Sequence, residues 1–297
     1  MTQASPIAFR RSAAPPVPLL ALDTVWFQVA GTLCNLSCNH CFISCSPTNH
    51  AHEVMAREDV RRYLDEAVGL GANDTYFTGG EPFLNREILG ILEDALRLGP
   101  ATVLTNATLI ARARAESLAA MERASRFSLE VRVSLDGMTP ETNDPIRGAG
   151  CFDATMEGVR ELARVGFNPI LTVVQTWSDE EDRALRAAFH EFLRSNGLTR
   201  PRVKILPLFR IGRESSRTRG YAPEEFLTEE HMRGHDPWTL QCSTSRMVTS
   251  RGVYVCPILI DSPGALMGKT LAETLRPFPM SHGACHTCWS TGASCRN

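Results

Sequence analysis

Between positions 24 and 206 the chain alternates two textures. Short apolar, β-favouring runs occupy 24–31, 74–78, 101–105, 128–135, 168–175 and 203–206. Between them lie longer stretches whose apolar residues recur every three or four positions, the period of a half-buried helix. In 54–70 the apolar face is Val60, Tyr63, Leu64, Ala67 and Val68, and Gly71 supplies a stop. In 85–97 it is Ile88, Leu89, Ile91, Leu92 and Leu96, with Asn85 as a cap. Further helices are expected over 109–124, over 153–165 (Met156, Val159, Leu162, Ala163) and over 178–195, where Ser178 caps an acidic first turn. The stretch from 138 to Gly150 reads as a polar loop. Strands alternating with helices predict a parallel sheet with right-handed crossovers. Six such units are too few for a closed eightfold barrel. The expected fold is α/β, a partial (β/α)6 TIM-like barrel, followed by a small cysteine-rich α+β domain. The expected divisions are an N-terminal arm over 1–20, the barrel over 21–215 and the appended domain over 216–297.

Composition narrows the class. The 297 residues are 43% hydrophobic and 22% charged, which suits one domain with an appendage, or two domains. A net charge of -2 gives no footprint for nucleic acid or an anionic membrane. No apolar run approaches the roughly 20 residues that span a bilayer, and the first 18 positions hold no secretion signal. A cytoplasmic location is the expectation, and there ten cysteines favour metal or redox use over disulfides.

Cysteine placement is lopsided. Cys34, Cys38, Cys41 and Cys45 follow the first strand, Cys242, Cys256, Cys285, Cys288 and Cys295 fall near the C-terminus, and Cys151 stands apart. Three thiolates spaced x3 then x2 cannot form three disulfides, but they can surround one centre, since thiolates favour Fe–S clusters and zinc. Three ligands on a four-iron cube leave one iron open for chemistry. Cys45 is weighed as a fourth ligand and read as an extra loop thiol, and Cys151 as a buried one.

The run Cys34-x3-Cys38-x2-Cys41 resembles the signature of the radical S-adenosylmethionine (SAM) superfamily, with His40 where that family usually has an aromatic residue. The resemblance spans about residues 24 to 297 and is strongest in the first half. It implies a 4Fe-4S cluster whose open iron chelates SAM. Gly79-Gly80-Glu81-Pro82 matches the motif that binds the SAM amino group, at the end of the second strand, as in the family. There the glycine backbone offers close acceptors and Glu81 a negative partner; the plain alternative is a Gly-Gly turn. Asn106 of Thr105-Asn106 resembles the third-strand end, although Ala107 replaces a glycine. Ser134 and Asp136 resemble the ribose-binding strand end, against an Asx-type turn. Arg147 resembles an arginine held against the SAM carboxylate, against a solvated loop charge. Gly212-Arg213 is read as substrate-facing. The cysteine loop, Gly79-Gly80-Glu81-Pro82, Thr105-Asn106 and Ser134-Leu135-Asp136-Gly137 all fall at carboxyl ends of expected strands, where βα barrels place their chemistry.

Cys242 and Cys256 flank a hairpin, 247–249 and 253–255 around Ser250-Arg251-Gly252, and Cys285-x2-Cys288 adds a chelating pair. A zinc ribbon normally has two such pairs. Beside a radical SAM core the layout resembles the auxiliary-cluster domains SPASM and Twitch. One auxiliary 4Fe-4S cluster is expected on Cys242, Cys256, Cys285 and Cys288, with Cys295 as a possible extra ligand. His231-x3-His235 lacks a third ligand and is not read as a metal site.

The resemblance implies an oxidoreductase or maturase that cleaves SAM reductively to a 5′-deoxyadenosyl radical and abstracts hydrogen from a substrate carbon, fed by a flavodoxin- or ferredoxin-type donor. Two substrate classes stay open: a small molecule of natural-product metabolism, or a ribosomal peptide that is crosslinked through thioether or carbon bonds. A non-catalytic zinc or Fe–S scaffold is the competing class.

Overall fold

A computed structural model of the chain describes residues 14–292. Cys295 and positions 1–13 of the expected arm lie outside the described residues. In chain order the elements are β1 (Pro16–Val17), β2 (Thr24–Gln28), α1 (Arg57–Gly69), β3 (Asp74–Thr78), α2 (Ile88–Leu98), β4 (Ala101–Thr105), α3 (Arg112–Ala124), β5 (Leu129–Ser134), α4 (Pro140–Arg147), α5 (Cys151–Arg164), β6 (Ile170–Val174), α6 (Asp179–Ser195), β7 (Arg202–Leu206), α7 (Glu229–Met232), β8 (Ser245–Thr249), β9 (Gly252–Tyr254), β10 (Leu266–Gly268), β11 (Phe278–Pro279) and α8 (Gly283–Thr291).

All six expected barrel strands form, within a residue or two at β3, β4, β5 and β7 and shorter at β2 and β6. They pair in parallel in sequence order from β2 to β7. The nine-stranded sheet has the order β10-β9-β8-β2-β3-β4-β5-β6-β7 and stays open at both edges, a partial barrel. Both faces of β2 are buried, which is why it reads as a continuous apolar run and not as an alternation. Val25 and Phe27 join the core beneath the helices. Trp26 points the other way, into a second core shared with the C-terminal region. Register follows the side chains: Trp26 stacks on Tyr76 at 4.3 Å between ring centres, and Phe27 lies 5.3 Å from Phe77.

Helices follow the apolar spacing. Ser178 and Glu181 close a reciprocal capping box at the start of α6. Asn85 does not cap α2 directly. It receives the Glu87 N–H at 2.8 Å and ties β2 to α1 through the Val29 and Met55 carbonyls, both at 2.9 Å.

Two features were not visible in the pattern. The stretch expected as a loop up to Gly150 contains α4, which is mostly polar, without an apolar stripe, and has Pro145 inside it. It forms because Thr139 and Thr142 make a capping box and Pro140 sits in the first turn, where its missing N–H costs nothing. The hairpin β8–β9 forms as expected, but β8 also pairs in parallel with β2. The barrel sheet therefore runs on into the C-terminal region. Residue separation hides this, because the pair joins positions more than two hundred apart.

One turn near the strand ends depends on a missing side chain. Ala107 is held at φ +60°, an uncommon conformation for a residue with a Cβ. Gly158 of α5 packs on it: a Cβ there would stand 2.2 Å from the Ala107 carbonyl oxygen. We expect Gly158→Ala to destabilise the fold by about 1–3 kcal/mol through overpacking, read as a lower urea midpoint. An unchanged midpoint would show that α5 shifts freely.

Candidate cofactor-binding site

The cysteine loop follows β2 and has no regular structure of its own. Its sulfurs lie among backbone donors: the Leu36 N–H points at Cys34 Sγ (3.4 Å) and the Cys45 N–H at Cys41 Sγ (3.2 Å). Burial pushes the Cys34 thiol up to about 12 and the Cys38 thiol up to about 11. Cys41 moves the opposite way, below its ordinary value, because the Cys45 thiol donates to it.

Three other parts of the chain hold this loop. The C-terminal carbonyls of α4 receive Asn39: its N–H bonds the Ile146 oxygen at 2.8 Å and its side chain the Pro145 oxygen at 2.7 Å. Gly80 lies so close that a Cβ would stand 2.0 Å from the Leu33 oxygen and 2.8 Å from Cys34 Cβ. The third is Gly212-Arg213, and here the expectation of a substrate-facing pair is corrected. The Arg213 guanidinium is taken up by loop carbonyls, those of Cys38 at 2.6 Å, Cys45 at 2.9 Å and Ser44 at 3.2 Å, while its N–H bonds the Cys41 oxygen at 3.0 Å. Gly212 sits at φ +60° with no room for a Cβ against the Phe42 oxygen, 2.3 Å away.

At the strand ends, Cys34, Cys38, Cys41, Gly79, Gly80, Asn106, Ser134 and Arg147 all line one cavity. Glu81, Pro82 and Asp136 do not; they stand behind it. The Glu81 carboxylate is wholly buried and accepts from Thr105 Oγ1 (2.7 Å), the Asn106 N–H (2.8 Å) and the Phe83 N–H (3.1 Å). Burial raises its pKa, and these three donors oppose that rise. Asn106 in turn bonds Asn35 at 2.9 Å and approaches Cys34 Sγ at 3.9 Å. Asp136 receives the Val174 N–H at 2.8 Å through Oδ1. Its Oδ2 lies 2.6 Å from His40 Nε2 and 2.7 Å from Arg147 Nε. The sequence reading did not anticipate that His40, Arg132 and Thr172 also line the cavity. Alternation along β5 places Arg132 and Ser134 on one face, a signal that finds Arg132 once Ser134 is chosen. Cys45 is buried on the same wall as the three cysteines.

The second cysteine group also converges. Cys242 precedes β8, Cys256 follows β9, and Cys285 and Cys288 lie one turn apart on α8. All four line one small cavity with apolar neighbours such as Leu240, Val255, Phe278 and Met280. Burial, reinforced by neighbouring sulfur, pushes Cys285 up to about 12, and Cys256 is raised by the same causes. Burial also lifts Cys242, to about 11, while Arg246 opposes the rise. Among the described residues no three His, Cys, Asp or Glu side chains are drawn tightly enough to grip a single ion. The cysteines of each group are spread around a space. His231 and His235 do not share a site: His231 bonds Thr228, and His235 lies 2.9 Å from Thr239. Cys151 is buried at the start of α5, near Thr155.

Asp136 carries a pH dependence. Burial opposes its charge, but Arg147 and His40 outweigh burial, so the carboxyl lies at about 2 against an ordinary 3.8. A depressed folded-state value gives stability that is complete above about pH 4 and is lost as pH falls through 2. We expect Asp136→Asn to remove on the order of 2 kcal/mol of that acid-limb slope, measured by urea unfolding of the apoprotein between pH 5 and 2. Parallel slopes for both proteins would refute the assignment.

Comparison with known proteins agrees with this geometry. Residues 29–188, more than half of the chain, match the model of the Radical SAM superfamily. GTP 3',8-cyclase of Peptoclostridium acidaminophilum is 30% identical over 142 residues, 46% of this chain and 42% of that protein. Fe-coproporphyrin III synthase of Methanosarcina barkeri is 33% identical over 135 residues, 45% of this chain and 32% of its own. These matches span less than half the length of either relative. Among solved structures, Streptococcus suis SuiB bound to its precursor peptide SuiA superposes with a TM-score of 0.65 at 17% identity, covering 91% of this chain and 71% of SuiB. The structure of anSMEcpe with bound AdoMet and Cp18Cys peptide gives 0.59 at 16% identity, covering 84% and 79%. With more than half its length matching the family and its barrel superposing on these folds, the chain belongs to the radical SAM superfamily.

Proposed function

We propose that this chain is a radical SAM oxidoreductase with two 4Fe-4S clusters, one on Cys34, Cys38 and Cys41 and one on Cys242, Cys256, Cys285 and Cys288. One observation carries the reading: each cysteine set lines its own cavity, and the first shares its cavity with Gly79, Gly80, Asn106, Ser134 and Arg147. When bound, the first cluster and SAM supply a 5′-deoxyadenosyl radical that abstracts hydrogen from a substrate carbon. The protein supplies binding, orientation and exclusion of water. Gly79 and Gly80 give the SAM ammonium close backbone acceptors. Arg147, 6% exposed, offers its cation to the SAM carboxylate, and Ser134 meets the ribose hydroxyls. Glu81 and Asp136 act as positioning residues behind these contacts. Leu36, Leu104 and Ile258 form an apolar wall that keeps water from a reactive carbon. Cys45 is left outside the ligand set, its thiol turned to Cys41.

Cys242, Cys256, Cys285 and Cys288 would hold the second cluster, which would supply an acceptor for one electron from the substrate radical; with loss of a proton, the net change in the substrate would be a two-electron oxidation. A flavodoxin- or ferredoxin-type donor supplies the first electron. Two substrate classes fit such a reaction: a small molecule, and a ribosomal peptide. The likeness to SuiB in complex with its precursor peptide favours the peptide, and thioether or carbon crosslinks are then the products. Among the described residues no helix is long and apolar enough to cross a membrane.

Two experiments test this. Anaerobic reconstitution should load about eight irons and give reductive SAM cleavage, with deuterium passing into 5′-deoxyadenosine from the true substrate. Zinc at both sites without SAM turnover would instead establish a scaffold. Arg213→Ala should fold yet lose most of the cluster signal that SAM perturbs, because the loop carbonyls lose their clamp. Full loading in that variant would exclude Arg213 as a positioning residue.

A further inference from the structure

Arg246 of β8 is a large, fully buried cation, 1% exposed, four residues after Cys242. All its hydrogen bonds go to neutral carbonyls: Ser245 at 2.7 Å and Cys242 at 2.8 Å from Nη1, Thr274 at 3.0 Å and Arg276 at 3.2 Å from Nη2, and Thr274 at 3.2 Å from Nε. Among the described residues no carboxylate forms an ion pair with it. The charged or ionisable groups that act on it are Cys242, Cys256 and a second cation, Arg276. A buried guanidinium without an anion is costly, and such charges are normally paired or coordinated. Carbonyl dipoles orient the side chain but do not cancel its charge. Of the groups around it, only thiols can bring negative charge.

We propose that Arg246 is the counter-cation of the auxiliary site, and that it sets the reduction potential of the cluster held there. The inference rests on the two-cluster reading above and adds a role that reading does not contain. A four-iron cube with four thiolates carries a charge of about -2 oxidised and -3 after taking one electron. A fixed positive charge beside Cys242 and Cys256 favours the more negative form. It therefore tunes the site to accept an electron, as net charge and local surroundings tune Fe–S potentials generally. Arg246 pairs in register with Val25 of β2, so the barrel sheet anchors the strand that carries it.

The test uses the full-length reconstituted enzyme and electron paramagnetic resonance during a redox titration, reading the signal that added SAM does not perturb. In Arg246→Gln the reduced-to-oxidised ratio at a fixed solution potential should fall at least tenfold, which is 59 mV for a one-electron couple. In Arg246→Lys, which keeps the charge but loses most of the carbonyl bonds, the ratio should stay within threefold of wild type. An unshifted ratio in the glutamine variant overturns the proposal while leaving two clusters in place. An equal fall in the lysine variant also overturns it, because the arginine then acts as scaffold and not as charge. If the glutamine variant fails to load, the lysine variant alone decides by the same threefold limit. Absence of any SAM-insensitive signal in the wild type, with zinc in its stead, overturns the two-cluster reading itself.

Discussion

The loop from Cys34 to Cys45 makes no helix and no strand, so its shape is imposed from outside. Three distant segments do this, largely through its backbone. Arg213 gathers the carbonyls of Cys38, Ser44 and Cys45; the end of α4 accepts from Asn39; Gly80 presses against Leu33 and Cys34. Sulfur positions then follow from backbone positions, while Asn35, Asn39 and His40 tie the loop further to Asn106, the end of α4 and Asp136. A guanidinium suits this work because its donors form a rigid fork, and charged donors make the stronger hydrogen bonds to carbonyls. The arrangement couples the loop to the end of β3, to α4 and to the segment after β7 at once. A displacement of any one strand end is felt at the cysteines.

Buried carboxylates extend the same logic. Glu81 and Asp136 carry the acidity of their motifs, yet neither faces the cavity. Each spends its oxygens on neighbouring strand ends: Glu81 on Thr105 and Asn106 of the β4 end, Asp136 on Val174 of β6 and on His40 and Arg147. Glu81 has no cation among its direct partners, so three donors must offset its burial. Asp136 has Arg147, and its carboxyl falls below the usual range as a result. Arg147 is thereby held at the cavity wall with part of its charge already balanced. That limits how strongly it can grip an anion and makes its contribution one of orientation.

How far the sequence carried depends on the range of the forces involved. Local periodicity found β3 and β4 to the residue and α6 with its cap, because those signals lie within a few turns of chain. Motif spacing named the cysteines that line both cavities and Gly79, Gly80, Asn106, Ser134 and Arg147 of the first, but it also named Glu81, Pro82 and Asp136, which do not line it. It misread Gly212-Arg213, since a Gly-Arg pair looks alike whether its cation faces a substrate or a carbonyl cluster. It missed α4, because a helix held by a cap and by contacts at its far end needs no apolar stripe. It had no means to see β8 beside β2: two short apolar runs carry no mark of their partner when two hundred residues separate them. Arg132 and His40 were reachable by strand alternation and by adjacency to Cys41, but nothing local said that they would share one cavity.

The parallel pairing of β8 with β2 has the widest consequence. Because β2 delivers the first cysteine group and β8 lies between Cys242 and Cys256, a single pair of hydrogen-bonded strands spaces the two sites. Ile258 belongs to the walls of both cavities, so one aliphatic side chain separates them there. In the two-cluster reading each site then has fixed positive charge at hand: Arg213 in the loop carbonyls and Arg147 paired with Asp136 at the first, and Arg246, with no carboxylate partner among the described residues, at the second.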